Sequence, residues 1–495
     1  MTLIPLTIEQ ILERLKQENH WWSSGNVDRE YLELQKRLHF ALFYPLVEDI
    51  SIRRAVVLMG PRRVGKTVLI HQTIDALIQS GVNPHQIAYM SVDNPFFNQV
   101  PLEQLFRACM SATGKTDAKG WYVFFDEIQY LKDWEIHLKS LVDHYPRTKF
   151  VVSGSAAAAL KLKSTESGAG RFTDTLLPPL TFNEYIHLLQ LHHLIIPAKI
   201  EWSGNATDFY GTTNIALLNE HFLRYINCGG YPEIIFSEKM RLDPSRFIRS
   251  DIVDKVLLKD LPGLYGIQDT RELNSLFTSI AYNTGQEFSW EALSKASNGV
   301  KKDTLKKYIQ YLEAAFLVKI IHRIDDNAKK FRRENYFKIY LTNPSLRSAL
   351  FTTLQATDKL MGAMVETTIF AQWLQREWFN PWYARWSVGR FKGEVDMVGL
   401  SLHDFKPVWA LEVKWSNRYL EKPSELKSLI QFCERNKLKS ALVTTIDKSG
   451  TAEMEGVKFH FLPAALYAYA VGRNTIEKKK EGNCTPFIHP CPSPE

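Results

Sequence analysis

A short apolar run that leads directly into a glycine-framed loop restricts the fold of this 495-residue chain more than any other feature. The run Ala55–Met59 is typical of a strand buried on both faces of a parallel sheet. The loop at residues 60–67 has the pattern G-x-x-x-x-G-K-T, and the segment after it carries apolar residues at helical spacing. Strand, loop and helix stand in the order in which this pattern forms a phosphate-binding loop. We therefore expect an α/β domain built on a parallel sheet.

The loop predicts a binding site for ATP and Mg²⁺. Its glycines allow backbone N–H groups to curl around the β-phosphate, and the next helix directs the positive end of its dipole at the same group. We expect Lys66 to reach the β- and γ-phosphates and the Thr67 hydroxyl to bind Mg²⁺. The predicted ATP-binding residues are Gly60, Pro61, Arg62, Arg63, Val64, Gly65, Lys66, Thr67 and Asp126.

Two further apolar runs end in residues that suit hydrolysis of ATP. The run 121–125 is followed by Asp126, which is expected to hold Mg²⁺, and by Glu127, which is placed to polarise the attacking water. The run 149–152 leads into a Ser-Gly-Ser segment, where the Ser155 hydroxyl could orient water against the γ-phosphate. The alternative for Ser155 is an ordinary turn residue. The pattern predicts hydrolysis rather than binding alone.

Short motifs elsewhere in the chain accompany this loop, and together with it they carry a resemblance to a known family. They are His20-Trp21-Trp22, the paired Arg62 and Arg63, Asp126-Glu127-Ile128-Gln129, Ser153-Gly154-Ser155, Gly170-Arg171, residues 177–184, and Gly229-Gly230-Tyr231-Pro232-Glu233. The series resembles the AAA-type ATPases of bacteria and archaea, in particular a family whose ATPase core is followed by a winged helix and a restriction-endonuclease-like domain. The resemblance extends over almost the whole chain.

The resemblance implies a sheet in which the phosphate-loop strand is central and the sensor strand lies between it and the Asp126 strand. It also implies an arginine that acts on the γ-phosphate, in the same subunit or across an interface. Arg171 is the candidate, and a loop arginine paired with Asp174 or Glu184 is the alternative. The early aromatic residues 20–22 could stack on adenine, although packing of an N-terminal helix on the core is favoured.

Residues 271–341 have the pattern of three helices and a hairpin. The helices are expected at 271–283, 290–296 and 302–314, and the strands at 316–322 and 335–341. This order predicts a winged helix.

The predicted third helix and hairpin tip are basic. Residues 297–333 contain ten Lys or Arg against four Asp or Glu, which favours an anionic partner such as DNA. Winged helices also dock onto proteins, and exposed lysines are common on helices, so protein docking is the alternative. The predicted DNA-binding residues are Lys302, Lys306, Lys329, Lys330, Arg332 and Arg333.

The last part of the chain carries a set of four scattered residues. Asp396 ends one alternating strand pattern, and Glu412 and Lys414 lie two residues apart on the next, so their side chains share a face. With Glu366 at the start of a helix, they resemble the core of PD-(D/E)XK nucleases. Asp396 and Glu412 would hold Mg²⁺, Lys414 would steer the attacking water, and Glu366 would add a further acid. Cleavage of DNA and a scaffold without cleavage are both open.

Length and composition fit several domains in a folded chain with a net charge of +7. No basic and apolar leader is present, and no apolar run reaches the roughly 18 to 20 residues that span a bilayer, so we expect a cytoplasmic protein without a membrane segment. The expected parts are an N-terminal helical segment (1–45), an AAA-type P-loop ATPase domain (46–236), a helical and winged-helix domain (237–345), a PD-(D/E)XK nuclease-like α/β domain (346–475) and a flexible tail (476–495).

The sequence therefore predicts an ATP-binding protein whose Mg²⁺-dependent ATPase cycle controls a DNA-binding half that could also cleave DNA. The alternative is a switch that binds DNA or docks onto protein, with a nuclease-like domain that is not catalytic. The oligomeric state is open, because AAA-type relatives are commonly rings, whereas appended domains also suit monomers or dimers.

Overall fold

The computed structural model describes two compact units, one ending at Pro178 and the other beginning at Pro179. No helix in the described part of the chain is long and apolar enough to cross a membrane. The described residues are 8–481 apart from 99, 155–169, 203–204, 328–334, 375, 377–378 and 402.

Five strands form the sheet of the first unit: β1 (Ala55–Met59), β2 (Ile87–Ser91), β3 (Tyr122–Asp126), β4 (Lys149–Gly154) and β5 (Phe172–Leu176). Their spatial order is β2-β3-β4-β1-β5, and every neighbouring pair is parallel. The sensor strand β4 lies between β1 and β3, as predicted. The central strand is β4, however, and the phosphate-loop strand β1 lies next to the edge strand β5.

Every residue of β1, β3 and β4 is buried. Successive strand residues face opposite sides of a sheet, so both faces of this sheet are covered. The helices of the unit are Ile8–Glu18, Trp21–Ser24, Arg29–Leu32, Phe40–Glu48, Lys66–Gln79, Leu102–Ala112 and Trp134–His144.

The N-terminal aromatic residues cover the outer edge of β2. The indole N–H groups of Trp21 and Trp22 both donate to the Ile87 carbonyl, at 3.0 and 2.8 Å. The Asn19 side chain exchanges two hydrogen bonds with the backbone of Tyr89. These side chains satisfy a strand edge that would otherwise be open. Trp21 is fully buried, as expected for a helix that packs on the core.

The second unit begins with a helix and a two-stranded hairpin, β6 (Ile195–Trp202) and β7 (Asn205–Thr212). Its helices before residue 270 are Phe182–Leu188, Ile215–Cys228, Pro232–Phe236, Glu238–Leu242, Pro244–Ile248 and Leu261–Tyr265, with π-helical turns at Arg249–Val253 and Val256–Asp260.

The predicted three helices and hairpin are present in the predicted order. The helices are Thr270–Tyr282, Trp290–Ala296 and Lys302–Ala314, and the hairpin is β9 (Val318–Ile324) with β10 (Tyr336–Leu341). A short strand, β8 (Glu287–Ser289), was not predicted, and it pairs with β10. Its last residue, Ser289, caps the next helix by accepting a hydrogen bond from the backbone N–H of Ala292.

These three strands belong to a larger sheet. It also contains β11 (Trp382–Val388), β12 (Phe391–Leu400), β13 (Pro407–Glu412), β14 (Ser440–Thr445), β15 (Gly450–Met454) and β16 (Val457–Pro463). The nine strands run in the order β15-β16-β14-β13-β12-β11-β9-β10-β8. The junction is the parallel pair β9–β11, so the sheet is continuous across the domain boundary that the sequence predicts at residue 345.

The helices of the second unit after residue 341 are Ser345–Leu350, Met361–Trp373, Arg418–Glu421, Lys427–Arg435 and Ala464–Glu481. Residues 179–236, which the sequence assigns to the ATPase domain, lie in this unit. Phe182 and Phe222, for example, share a buried cluster with Met364 and Tyr467. The reason is apolar burial: the helix Phe182–Leu188 packs against Ala464–Glu481 rather than standing alone. The predicted boundary at residue 236 stays a prediction, whereas the compact division falls at 178.

Gly393→Ala is expected to destabilise the second unit. Gly393 on β12 pairs with Trp386 on β11, and a Cβ at position 393 would lie 2.2 Å from the Trp386 ring. Because both strands are buried on this face, the ring has to shift, at a cost of about 1 to 3 kcal/mol in the free energy of unfolding. Urea unfolding measures the loss. Gly362→Ala is the matched control, because a Cβ there meets nothing within 4 Å; equal effects of the two changes would refute the steric explanation.

Candidate functional site

The phosphate loop, residues 60–67, joins the carboxyl end of β1 to the helix Lys66–Gln79. Arg63 and Gly65 have left-handed backbone conformations, with φ of 64° and 92°. Gly60 is required by close approach, since a Cβ there would lie 2.3 Å from the Leu177 carbonyl oxygen. The loop therefore turns through two left-handed residues and packs closely against the segment that follows β5, and glycine is the residue that both features favour.

Lys66 is buried at the base of this loop. Its ammonium group donates to the carbonyl oxygens of Gly60 (3.1 Å) and Pro61 (2.9 Å). These contacts hold the cation inside the loop, where phosphate oxygens would offer stronger, charge-assisted acceptors.

The Asp126 carboxylate accepts hydrogen bonds from residues on several strands and loops. Thr67 Oγ1 and the Tyr89 hydroxyl donate to Oδ2 at 2.8 and 3.0 Å. The Ser153 hydroxyl and the backbone N–H of Glu127 donate to Oδ1. The structure therefore brings together Thr67 and Asp126, the two residues expected to hold Mg²⁺ beside ATP. A hydroxyl and a carboxylate are hard oxygen donors, so the pair fits Mg²⁺.

Glu127 follows the carboxyl end of β3 with a left-handed backbone, at φ 53°. The Gln129 side-chain amide donates to its Oε2. The turn sets Glu127 next to Asp126 on the phosphate-loop edge of the sheet, and Gln129 fixes the direction of its carboxylate. Arg62 lies nearby in the loop and donates to the Tyr130 hydroxyl at 3.5 Å.

Arg171 is not brought to the phosphate loop of its own chain. Its carbonyl accepts from Ala55 N–H, so it lies at the amino ends of β1 and β5, whereas the loop leaves the carboxyl end of β1. Five strand residues separate these edges by roughly 16 Å. Its guanidinium pairs with Asp143 at 3.2 Å rather than with Asp174 or Glu184. The expectation of an arginine acting within one subunit therefore does not hold here.

Arg37 contacts the phosphate loop, although sequence reasoning missed it. This buried guanidinium donates from Nη1 to the carbonyl oxygens of Val64 (2.8 Å) and Pro178 (2.9 Å). It braces the loop from a segment far earlier in the chain. No local pattern marks a lone arginine at this distance, so only the structure identifies it.

Several predicted residues lie outside the described part of the chain. They are Ser155, Lys329, Lys330, Arg332 and Arg333. Lys302 and Lys306, on the helix Lys302–Ala314, are exposed, and the Lys306 ammonium lies 5.8 Å from the centroid of the Trp290 ring.

A second polar cluster lies in the second unit, on β12, at the end of β13 and at Lys414, two residues beyond that end. Lys414 Nζ is 2.7 Å from Glu412 Oε1 and 3.6 Å from Asp396 Oδ2. Asp396 Oδ2 also accepts from the Val413 backbone N–H at 2.8 Å. Glu412, Asp396 and Lys414 therefore converge as the sequence predicts, because residues 397 and 411 are direct partners across the two antiparallel strands.

Glu366 joins this cluster through a lysine that the sequence did not indicate. Lys338 Nζ, from β10, lies 3.0 Å from Glu366 Oε1, 2.8 Å from Glu394 Oε1 and 4.0 Å from Asp396 Oδ1. The Tyr340 hydroxyl also donates to Glu366 Oε1. The missed lysine lies in the second strand of the predicted hairpin, 335–341, far from the carboxylates in sequence.

Burial and charge shift the pKa values of these groups. Burial, and next the neighbouring Asp396, raise the pKa of Glu412 to about 7, against the opposing effect of Lys414. Burial raises the pKa of Glu366, although the Lys338 ammonium opposes this. Within the described residues no hydrogen-bond donor reaches the buried Glu412 Oε2. This carboxylate oxygen beside Asp396 suits a divalent cation with oxygen ligands.

In the described residues no group of three or more His, Cys, Asp or Glu side chains is gathered closely enough to hold a metal ion. The carboxylates instead surround the two ammonium groups of Lys338 and Lys414. A metal at this cluster would rely on the pair Asp396 and Glu412, with water and substrate oxygens completing its coordination, a pattern that Mg²⁺ accepts.

Comparison with known families matches residues 52–186 to an AAA domain. Residues 219–358 match a domain of unknown function (DUF8612). The first match covers the phosphate loop, Asp126 and Glu127. The chain thus contains an AAA-type P-loop ATPase domain, as the sequence predicts.

Two relatives are both described only as uncharacterised. One, from Haemophilus influenzae, is 26% identical over 298 residues, or 59% of this chain and 68% of that protein. The other, from Methanocaldococcus jannaschii, is 23% identical over 365 residues, or 71% of this chain and 75% of that protein.

Among solved structures, the chain is similar to a Walker-type ATPase of Pyrococcus abyssi, with a TM-score of 0.38 and 14% identity over 63% of this chain and 94% of that one. It is also similar to the replication initiator DnaA bound to AMPPCP and single-stranded DNA, with a TM-score of 0.27 and 12% identity over 57% of this chain and 89% of that one.

The stability of the first unit is expected to fall as pH drops from 6.5 to 4, because of His71. This side chain is buried against the rings of Trp21, Tyr31 and Tyr89. Burial lowers its pKa from 6.5 to about 4, so the unfolded chain gains a proton in this window while the folded one stays neutral. The stabilisation is complete above pH 6.5 and declines by roughly 2 to 3 kcal/mol towards pH 4.

Urea unfolding of the wild type and His71→Phe across this pH range measures the effect. The substitution should flatten the fall in stability below pH 6.5. The exposed His144→Phe, at the end of the helix Trp134–His144, is the control. Equal pH profiles for wild type and His71→Phe would show that another group causes the loss.

Proposed function

We propose that this protein hydrolyses ATP at residues 60–67 and that the ATP cycle controls the activity of its second unit towards DNA. The observation that carries the first half is the hydrogen bond from Thr67 Oγ1 to Asp126 Oδ2, at 2.8 Å. It joins a residue of the phosphate loop to a carboxylate on another strand, in the arrangement that an ATPase needs beside its nucleotide.

Each residue then has a distinct part in hydrolysis. The Lys66 ammonium exchanges its two loop carbonyls for β- and γ-phosphate oxygens. Thr67 and Asp126 would hold Mg²⁺, which would supply positive charge beside the developing phosphate oxygens. Glu127 accepts a proton from the attacking water, and the Gln129 side-chain amide orients the Glu127 carboxylate. Arg37 keeps the loop closed from behind.

Arg171 fits a role across a subunit interface better than one within its own chain. Its guanidinium is 43% exposed and pairs with Asp143 at the surface. An exposed ion pair of this kind costs little to break. Arg171 is therefore available to contact the nucleotide of a neighbouring copy. This is the second of the two predicted alternatives, in which the arginine acts across a subunit interface.

Lys66→Ala is expected to lower the rate of ATP turnover by about a hundredfold or more, because the phosphates lose their charge-assisted donor. Glu127→Gln should keep ATP binding while slowing turnover, because the amide cannot accept the proton of water. Phosphate release and binding of a fluorescent ATP analogue measure the two effects. Lys115→Ala, in the similar segment Gly114-Lys115-Thr116, is the matched control and should change neither. ATP turnover that survives Lys66→Ala would overturn this proposal.

The second half of the proposal concerns the phosphodiester backbone of DNA. The convergence of Asp396, Glu412 and Lys414 supports a PD-(D/E)XK type of site. Asp396 and Glu412 would hold Mg²⁺, which activates water for attack on a phosphodiester. The Lys414 ammonium group orients the Glu412 carboxylate through their ion pair, and it would also orient the attacking water. The exposed Lys302 and Lys306 favour DNA contact through a winged helix, with protein docking as the alternative use of the same surface.

Two changes separate binding from cleavage of DNA. Lys302→Glu with Lys306→Glu should weaken DNA binding and lower its dependence on salt, by about one unit of slope for each phosphate that the protein no longer neutralises. Asp396→Asn should abolish nicking of supercoiled DNA in Mg²⁺ or Mn²⁺ and leave binding intact. Fluorescence anisotropy and gel assays measure the two.

Lys319→Glu, on the neighbouring strand β9, is the control for a charge reversal outside the helix face. Binding that is equally weakened by this control would remove the case for the helix. A chain that binds DNA but never cleaves it, with either metal, would favour the alternative of a switch without a catalytic nuclease.

A further inference from the structure

Lys338 occupies an unusual position for a cationic side chain. Its side chain is only 4% exposed, and its ammonium group is surrounded by the carboxylates of Glu366, Glu394 and Asp396. A buried charge persists only when its neighbours compensate it, and three carboxylates do so here. The lysine is thus the cation around which this side of the cluster is organised.

We propose that Lys338 is an internal cation that competes with a divalent metal ion for the carboxylates of the second unit. This inference rests on the proposed metal site of Asp396 and Glu412. With Lys338 in place, the ammonium holds the site in a state of low metal affinity. Removing it, or withdrawing it with its strand, raises that affinity.

The contacts of the two Asp396 carboxylate oxygens support competition between Lys338 and a metal ion. Its Oδ2 accepts from the Val413 backbone and faces Lys414, while its Oδ1 faces Lys338. A metal ion that binds Asp396 therefore meets an ammonium group on either side. Two positive charges within a few ångströms in a buried site repel each other strongly. Metal and Lys338 cannot both contact this carboxylate at full strength.

The charge balance supports the same conclusion. Four carboxylates, from Glu366, Glu394, Asp396 and Glu412, face the two ammonium groups of Lys338 and Lys414. Arg385 Nη1 also lies 3.5 Å from Glu394 Oε2, so four carboxylates face three cationic side chains, and a divalent ion would leave the cluster with a net positive charge while Lys338 is in place. Without Lys338 the attraction for a divalent ion grows by one further unit of negative charge.

The lysine also comes from a different element than the carboxylates. It lies on β10, which pairs with β8 and β9 in the predicted winged helix. The carboxylates lie on the helix Met361–Trp373, β12 and β13. The backbones of the two groups of strands meet in two register pairs between β9 and β11, and side chains add contacts such as the Tyr340 ring stacked on Phe370. A shift of β10 relative to this helix and these strands would move the ammonium away from the carboxylates.

The test is binding of Mn²⁺ alone to the full chain, without nucleotide or DNA, followed by the electron paramagnetic resonance signal of free Mn²⁺. Lys338→Met is expected to bind Mn²⁺ about tenfold tighter or more than the wild type, because the competing charge is gone. Asp396→Asn should abolish this binding in both backgrounds. Lys319→Met, an exposed lysine on β9 that pairs with Glu313, is the matched control and should leave the affinity unchanged.

Two further variants keep the test decisive if the buried change disturbs folding. Lys338→Gln combined with Glu394→Gln removes the lysine with its nearest partner and preserves net charge, and it should also bind Mn²⁺ more tightly than Glu394→Gln alone. In thermal unfolding, Mn²⁺ should raise the Tm of Lys338→Met more than that of the wild type.

The outcomes separate the two levels of inference. Binding that depends on Asp396 in the wild type, but is unchanged or weaker without Lys338, would overturn the competition and leave the metal site standing. Mn²⁺ binding that is absent or insensitive to Asp396→Asn in every variant would overturn both.

Discussion

The hydrogen bond between Thr67 and Asp126 joins residues that are 59 positions apart in the chain, and it depends on one constraint, the parallel alignment of β1, β4 and β3. The carboxyl ends of parallel strands meet at one edge of the sheet. The phosphate loop leaves β1 at this edge, Asp126 ends β3 there, and Ser153 lies one residue before the end of β4. Tyr89 and Ser153 supply further donors, so within the described residues hydroxyl and amide groups compensate the buried carboxylate.

The sequence predicts features with short-range causes well. The loop at 60–67 and the helix Lys302–Ala314 follow from the spacing of glycines and apolar residues within short segments, and the structure has them at the predicted positions. Arg37, Lys338 and the opposite-edge position of Arg171 were not predictable, because they depend on which distant strands become neighbours. The parallel pair β9–β11 is of the same kind, since no turn or periodicity announces a contact between segments about 60 residues apart.

The buried carboxylates are stabilised differently in the two polar clusters, the one around Asp126 and the one around Glu366 and Asp396. Around Asp126 the donors are hydroxyl and amide groups, which leave the negative charge available to a metal. Around Glu366 and Asp396 the partners also include ammonium groups, which neutralise the charge directly. The first is ready for a cation, whereas the second already contains one. This contrast explains why we expect the carboxylate of Asp126 to bind a cation directly and those of Glu366 and Asp396 to bind one only in competition with a lysine.

The continuity of the nine-stranded sheet changes how the second unit can transmit force. Two domains joined by a linker rotate as separate bodies about a hinge, but strands in one sheet share backbone hydrogen bonds and can move only by twist or by sliding along their neighbours. A load applied at β8 therefore passes through β10 and β9 into β11 as strain. Strain of this kind concentrates where neighbouring strands share the fewest backbone pairs, which in this sheet are β9–β11 and β13–β14, with two register pairs each.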